Sequence, residues 1–306
     1  MISIRNISKA YGQTVALDRI SIEIAAGDFY GLLGPNGAGK STLLNILVGY
    51  LRPESGEVTM AGIDILRDPM AVRRKIGFVP QEIALYDQLT GIENLRLFGA
   101  LHGLSSRVCS ERARELLESA GLFERRNDRV STYSGGMKRR LNIIASLLHS
   151  PEALLCDEPT VGVDPQSRNA IFDFLRQMHG RGVTIVYTTH YMEEAERLCN
   201  RIGIVDRGIL IANGSLEELM KLAPGKRGMS IALADDSDFD LDRVKEFGHV
   251  SRSGATLSII PHASEVPMSR LLQRLEESGV SFQDIRFERP TLESLFLHLT
   301  GRSLRE

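Results

Sequence analysis

The 306-residue sequence predicts an α/β fold built on a parallel sheet, followed by a smaller α+β unit. Three observations predict it. A glycine-rich loop, residues 34–42, sits between an apolar strand and a helical stretch. Continuous apolar strands alternate with helical segments after Pro151. At Ala223-Pro224-Gly225-Lys226-Arg227-Gly228 the pattern breaks, and shorter elements follow.

Taken in order, residues 1–30 read as strands joined by turns. Gly27-Asp28 is a turn, and Phe29-Tyr30-Gly31-Leu32-Leu33 is a buried strand entering the glycine loop. Residues 41–51 read as a helix stopped by Pro53. Residues 57–80 return to strand-like alternation, ending in the short apolar run Ile76-Gly77-Phe78-Val79-Pro80. From about 88 to 148 the pattern is helical. Thr90-Gly91-Ile92-Glu93 is a capping box, residues 111–120 have helical spacing ending at Gly121, and Ser134 caps a helix over 135–149. Then come a strand over 153–156, a helix opened by Asp164-Pro165 and running to about His179, and a strand over 183–187. Beyond the break the expected order is strand 229–234, helix 240–247, strands 249–252 and 256–260, helix 268–278, strand 282–287 and helix 291–299. This βαββαβ order is compatible with a ferredoxin-like split unit.

Composition narrows the function classes. Lys and Arg number 37 against 39 Asp and Glu, so the formal charge of −2 offers no electrostatic footprint for nucleic acid or anionic lipid. Cys109, Cys156 and Cys199 are widely spaced, with no CxxC pair, which argues against a disulfide framework or structural zinc and fits a reducing cytoplasm. The N-terminus alternates like a strand and lacks the apolar core of a signal peptide. Apolar runs fall well short of the ~20 residues of a membrane span, so any membrane role runs through a partner.

The chemistry begins at Gly34-Pro35-Asn36-Gly37-Ala38-Gly39-Lys40-Ser41-Thr42, a full P-loop pattern in the strand–loop–helix context it requires. Backbone N–H groups and a helix N-terminus cradle phosphate, Lys40 reaches the β- and γ-phosphates, and the Ser41 hydroxyl goes to Mg²⁺. Leu154-Leu155-Cys156-Asp157-Glu158 is an apolar strand ending in two carboxylates. Beside a P-loop, Asp157 suits a Mg²⁺ held through water and Glu158 suits a general base for the attacking water. Tyr133-Ser134-Gly135-Gly136-Met137, followed by Lys138-Arg139-Arg140, resembles a second phosphate device: a small polar cap and two glycines opening an apolar helix. One chain with two such devices suggests a nucleotide held between two proteins. The three basic residues read as the polar face of that helix plus phosphate electrostatics.

The combination of P-loop, Gln81, Tyr133-Ser134-Gly135-Gly136-Met137, Asp157-Glu158, Asp164 and His190 resembles the ATP-binding subunit of ABC transporters, over about residues 1–222. The resemblance implies a P-loop NTPase core with an antiparallel β subdomain and a helical subdomain at about 88–148, with 223–306 as an accessory α+β domain. It implies that Tyr11 stacks on adenine, although an ordinary strand-end aromatic remains the alternative. Gln81 would contact Mg²⁺ and the lytic water. Ser134 and Gly136, with Gly135 between them, would meet the γ-phosphate of ATP held by an opposite subunit. Asp164 would lie at the dimer interface, and His190 would contact the γ-phosphate in its own site. Met137 stands where many members have Gln and cannot make that residue's hydrogen bonds.

The same resemblance sets the partners: a second ATP-binding subunit, identical or homologous, and a separate transmembrane permease, with the chain peripheral on the cytoplasmic face. Soluble ABC ATPases acting on ribosomes or nucleic acid are the alternative. Those usually pair two ATPase units in one chain or insert long coiled coil, whereas the stretch from Thr42 to Tyr133 carries no sustained heptads. Arg289-Pro290-Thr291-Leu292-Glu293-Ser294-Leu295-Phe296 resembles the tail of daunorubicin-type drug-resistance exporter ATPases. Leu85, Tyr86, Leu89, Leu95 and Phe98 are expected to form an apolar groove for a helix of the membrane partner.

Overall fold

The computed structural model describes residues 1–223, 228–233, 248–253, 256–261, 273, 277, 282–288 and 291–301. Met1–Glu217 form one compact unit and Glu218–Ser303 a second.

In the first unit, β1 (Ile2–Tyr11) pairs antiparallel with β2 (Thr14–Ile24) on one side and β4 (Ser55–Met60) on the other, and β5 (Ile63–Asp64) extends the sheet beyond β4. Alternation buries Ile2 and Ile4, and a bulge before Ile7 restores that residue to the inner face.

The second sheet has the order β10-β9-β3-β8-β7-β6. Its strands are β3 (Phe29–Leu33), β6 (Ile76–Val79), β7 (Ala153–Asp157), β8 (Thr184–Thr189), β9 (Arg201–Asp206) and β10 (Ile209–Ser215). All pairs are parallel except β10 with β9. β3 and β7 are buried at every residue, as expected of strands covered on both faces. Helix α1 (Lys40–Leu47) joins the sheets. Its Leu43, Leu44 and Leu47 share one apolar cluster with Ile4 and Ile22 of the first sheet and Leu32, Leu155 and Val186 of the second.

The P-loop helix is shorter than its pattern predicts. It ends at Leu47 because Gly49 adopts φ 69° and closes it, Gly49 N–H donating to Ile46 O and Tyr50 N–H to Asn45 O. A short helix, α2 (Pro69–Arg73), was not expected, although Asp68-Pro69 carries the same start signal as Asp164-Pro165: the Asp68 carboxylate accepts from Ala71 N–H.

Helices α3 (Gly91–Leu101), α4 (Ser106–Ser119) and α5 (Gly135–Leu147) pack on one another. The capping box forms as read: Thr90 Oγ1 accepts from Glu93 N–H, and the Glu93 carboxylate accepts from Thr90 N–H. Helix α6 (Pro165–Gly180) starts at the Asp164 cap, and α7 (Met192–Leu198) follows β8. Helix α8 (Leu216–Leu222) follows β10.

The second unit contains β11 (Gly228–Leu233), β12 (Gly248–Ser253), β13 (Thr256–Pro261) and β14 (Phe282–Glu288), in the fully antiparallel order β12-β13-β11-β14. A split βαββαβ unit produces that strand order. Its two expected helices, 240–247 and 268–278, fall outside the described residues apart from 273 and 277. The last helix, Leu292–Thr300, is capped by Thr291 and buries Leu292, Leu295 and Phe296, while Leu299 stays exposed.

Thr90→Ala removes the cap of α3 and is expected to cost about 1 kcal/mol. Urea unfolding of the full chain should show a lower midpoint at unchanged slope.

Candidate functional site

Four adjacent parallel strands, β3, β8, β7 and β6, end at the same edge of their sheet. Leu33 pairs with Thr189, Asp157 with Thr188, and Val79 with Cys156. The residues that follow are the P-loop, His190, Glu158 and Gln81 in turn. This is the carboxyl-end crevice where open α/β sheets take ligands.

A cavity of about 410 Å³ opens there. Its lining includes Tyr11, Asn36, Gly37, Gly39, Lys40, Ser41, Thr42, Gln81 and Glu158. Nine of the sequence-predicted residues therefore meet in one hollow. Gly34, Pro35 and Ala38 build the loop behind it: Ala38 is buried, and the Gly34 and Pro35 carbonyls accept from Lys40 at 2.7 and 3.0 Å. Gly39 has φ 104°, and a Cβ there would lie 2.4 Å from Ala16 O, so only glycine fits. Helix α1 starts at the next residue with no side-chain cap, leaving its first-turn amides directed at the cavity as an anion cradle. Tyr11 is half exposed, with Lys9 Nζ 5.6 Å from its ring centroid, and its open face suits a stacked ring.

Lys40 and Glu158 are both buried and form an ion pair, Nζ to Oε1 at 3.0 Å. With the two loop carbonyls, this occupies all three ammonium protons. The other Glu158 oxygen, Oε2, lies 3.2 Å from His190 Nδ1. Glu158 is thus held between a cation and an imidazole at the cavity wall. Its backbone has φ 44°, a conformation costing a bulky residue of order 1–3 kcal/mol and found where surroundings over-determine it. Part of that support is Thr188, whose hydroxyl accepts from Glu158 N–H at 2.9 Å and donates to Asp157 Oδ1 at 2.7 Å. Asp157 is itself buried, 5% exposed.

Among the described residues no group of three His, Cys, Asp or Glu could hold a metal ion by itself. The donors here are a serine hydroxyl, a glutamine amide and one carboxylate. That set fits Mg²⁺, which keeps waters and takes substrate phosphate oxygens rather than an all-protein cage.

Ser134, Gly135, Gly136 and Asp164 are not among the residues lining this cavity; they gather at the N-termini of α5 and α6. Ser134 Oγ accepts from Met137 N–H at 3.2 Å. Asp164 accepts from Ser167 N–H, which holds its carboxyl below the usual range and keeps it anionic. Gly135 is exposed, and a Cβ on it would meet nothing within 4 Å; one on Gly136 would lie 2.2 Å from Ser167 Cβ and Oγ. The second glycine is therefore demanded by contact between α5 and α6 within the chain.

The basic run after Met137 corrects the expectation of a polar helix face serving phosphate electrostatics. Arg139 is buried and donates to Pro80 O at 3.0 Å and Gln81 O at 2.7 Å. Asn142 accepts from Ala84 N–H and Ser146 donates to Phe78 O, so one face of α5 grips the backbone that carries Gln81. Arg140 donates to Ala120 O, and Lys138 pairs with Asp87. The helical spacing of Arg139, Asn142 and Ser146 was the available signal: a polar stripe on an otherwise apolar helix.

A groove of about 320 Å³ lies between this region and the turn after α1, lined by Tyr50, Arg73, Phe78, Phe98, His102 and His149 among others. Leu95, expected in the groove, is fully buried in the helical core, whereas Tyr86 is exposed and packs toward Phe98. His102 and His149 stack at 3.8 Å, and burial with this neighbour pushes His149 down to about 4, so it is neutral at pH 7.

Comparison with known proteins agrees with this geometry. Residues 17–161 match the family described as ABC transporter. The whole chain is 42% identical, over 100% of both proteins, to the linearmycin resistance ATP-binding protein LnrL of Bacillus subtilis (strain 168). It is 39% identical to the daunorubicin resistance ATP-binding protein DrrA3 of Streptomyces coeruleorubidus, covering 98% of this chain and 96% of that one. A solved dimeric ATP-binding cassette in a post-hydrolysis state with ADP and Pi superposes with a TM-score of 0.64 at 31% identity, covering 71% of this chain and 99% of that one.

Gly135 and Gly136 should separate on substitution. Gly136→Ala is expected to destabilise the chain by about 1–3 kcal/mol through overpacking against Ser167. Gly135→Ala should leave it as stable as the unsubstituted chain. Thermal unfolding of both variants checks this.

Proposed function

The chain belongs to the ABC transporter family, and on that premise we propose that it is the ATP-hydrolysing subunit of an exporter, working at the cytoplasmic face of the membrane with a separate permease. The observation that carries the chemistry is Glu158, fixed between Lys40 and His190 beside a P-loop. The protein is an ATPase. Tyr11 receives adenine, the P-loop amides and Lys40 take the phosphates, and Glu158 accepts the proton of the attacking water. His190 orients Glu158 and faces the γ-phosphate. Ser41, Gln81 and Asp157 would hold Mg²⁺, which neutralises charge on the phosphate oxygens when bound.

Two such chains, identical or homologous, close over two ATP molecules. Ser134, Gly135 and Gly136 of one chain then meet the γ-phosphate in the other, with Asp164 at the shared interface. ATP binding favours the closed pair and hydrolysis releases it. The relatives named for linearmycin and daunorubicin resistance support the exporter reading. Among the described residues no helix is long and apolar enough to cross a membrane. On this reading, residues from about 223 onward are an accessory α+β domain, starting close to the boundary between the two compact units at Glu217/Glu218. The groove near Tyr86 and Phe98 offers the permease an apolar seat with a neutral imidazole pair in its wall.

Glu158→Gln keeps an oxygen for Lys40 but loses the base. ATP should still bind while turnover falls roughly 10²–10⁴-fold; unsubstituted turnover would remove Glu158 from that role. His190→Ala should lower turnover more than ATP affinity. Tyr86→Glu puts a charge beside Phe98, which lines the groove. It should leave the free chain's ATP turnover within about twofold yet abolish co-purification with the membrane subunit, since a buried unpaired charge opposes docking.

A further inference from the structure

Behind the catalytic edge lies a buried polar cluster whose members do not line the nucleotide cavity. Its centre is Glu194 of α7, only 2% exposed. Glu194 Oε1 accepts from Thr160 Oγ1 at 2.8 Å. Glu194 Oε2 accepts from Tyr187 OH and Thr189 Oγ1, each at 2.9 Å. Tyr187 OH also lies 3.1 Å from Thr160 Oγ1, and Tyr191 N–H donates to Thr189 Oγ1 at 2.9 Å. The nearest cation is Arg168 of α6, with Nε 3.6 Å from Oε1 and its guanidinium 5.3 Å from the Tyr191 ring centroid. A carboxylate this buried requires donors, and three hydroxyls supply them, one from the loop after β7 and two from β8.

The position of those segments gives the cluster its meaning. Thr160 lies two residues after Glu158, on the loop leading to Asp164. Thr189 immediately precedes His190. The two strands of backbone clamped by Glu194 therefore carry the two members of the Glu158–His190 contact. That contact is itself partly open to solvent, with His190 24% exposed, and Glu158 has a positive φ that its surroundings have to maintain. Thr188 supports Glu158 directly; the Thr160–Glu194–Thr189 bridge ties the loop after Glu158 to the residue before His190.

We propose that Glu194 is a positioning residue for ATP hydrolysis, fixing His190 against Glu158 by tying the loop after β7 to the turn after β8. The inference rests on the ATPase reading. Glu194→Gln replaces one acceptor oxygen with an amide that repels hydroxyl donors, while Thr189 cannot turn away without losing Tyr191 N–H. A shift of about 1 Å in the Glu158–His190 pair is enough to cost on the order of 10²-fold.

The test is ATPase kinetics on the full chain. Glu194→Gln should lower kcat about 10–100-fold with KM for ATP within about threefold, and Glu194→Asp, which keeps both oxygens, should recover part of the loss. In a His190→Ala background, Glu194→Gln should add less than about threefold, because the contact it sets is already gone. Fully additive losses, or a kcat equal to that of the unsubstituted chain, would overturn the proposal; so would a loss of ATP affinity matching the loss of kcat. If Glu194→Gln does not yield folded protein, Thr160→Val removes a single donor from the same carboxylate and should show the same kcat loss on a smaller scale. An unsubstituted chain that hydrolyses no ATP would instead overturn the ATPase reading, a distinct result.

Discussion

The nucleotide edge depends on the register of four parallel strands. β3, β8, β7 and β6 lie side by side, and the pairings of Leu33 with Thr189, Thr188 with Asp157, and Cys156 with Val79 bring their final residues level. Segments far apart in the chain thereby deliver phosphate amides, an imidazole, two carboxylates and an amide to one crevice. Side-chain direction alternates along a strand, so a one-residue slip of β7 would exchange the faces of Cys156 and Asp157 and carry Glu158 away from both its partners. The burial of β3 and β7 on both faces protects that register, because any slip would also repack two apolar layers.

Charge at this edge is shared. Lys40 divides its protons among two carbonyls and Glu158; Asp157 takes the Thr188 hydroxyl; Glu194 gathers three hydroxyls. Buried ions persist only with such partners, and each partner also fixes a distance. Satisfying the electrostatics and setting the geometry are here the same event. That explains how a glutamate can be held at φ 44° in a site that must also admit a polyphosphate.

Much of this was legible in the sequence where local chemistry dictates local shape. The P-loop, the Asp157-Glu158 strand end, the Thr90 box and the Asp164-Pro165 start all appear where read, since glycine, proline and capping side chains act over a few residues. Less legible was which polar side chains turn inward. Arg139 looked like a surface residue in a basic run, and its burial depends on the backbone of residues 80–81, some sixty positions earlier. Glu194 carried a faint signal, sharing a helical face with Leu198, an apolar residue at i+4. The double role of the glycine pair was hidden for the same reason: Ser167 approaches Gly136 only once α5 and α6 are packed.

The grip of α5 on the segment around Gln81 makes that segment a passenger. Arg139, Asn142 and Ser146 fasten it at points spread over about 10 Å of helix axis. A ribbon pinned to a rod at several points cannot swivel about any one of them; it travels with the rod. Tilting the helix would therefore shift Gln81 relative to Glu158, which follows the neighbouring strand. The stiffness of the fastening, more than the strength of any one bond in it, governs how faithfully a push at the exposed N-terminus of α5 reaches Gln81.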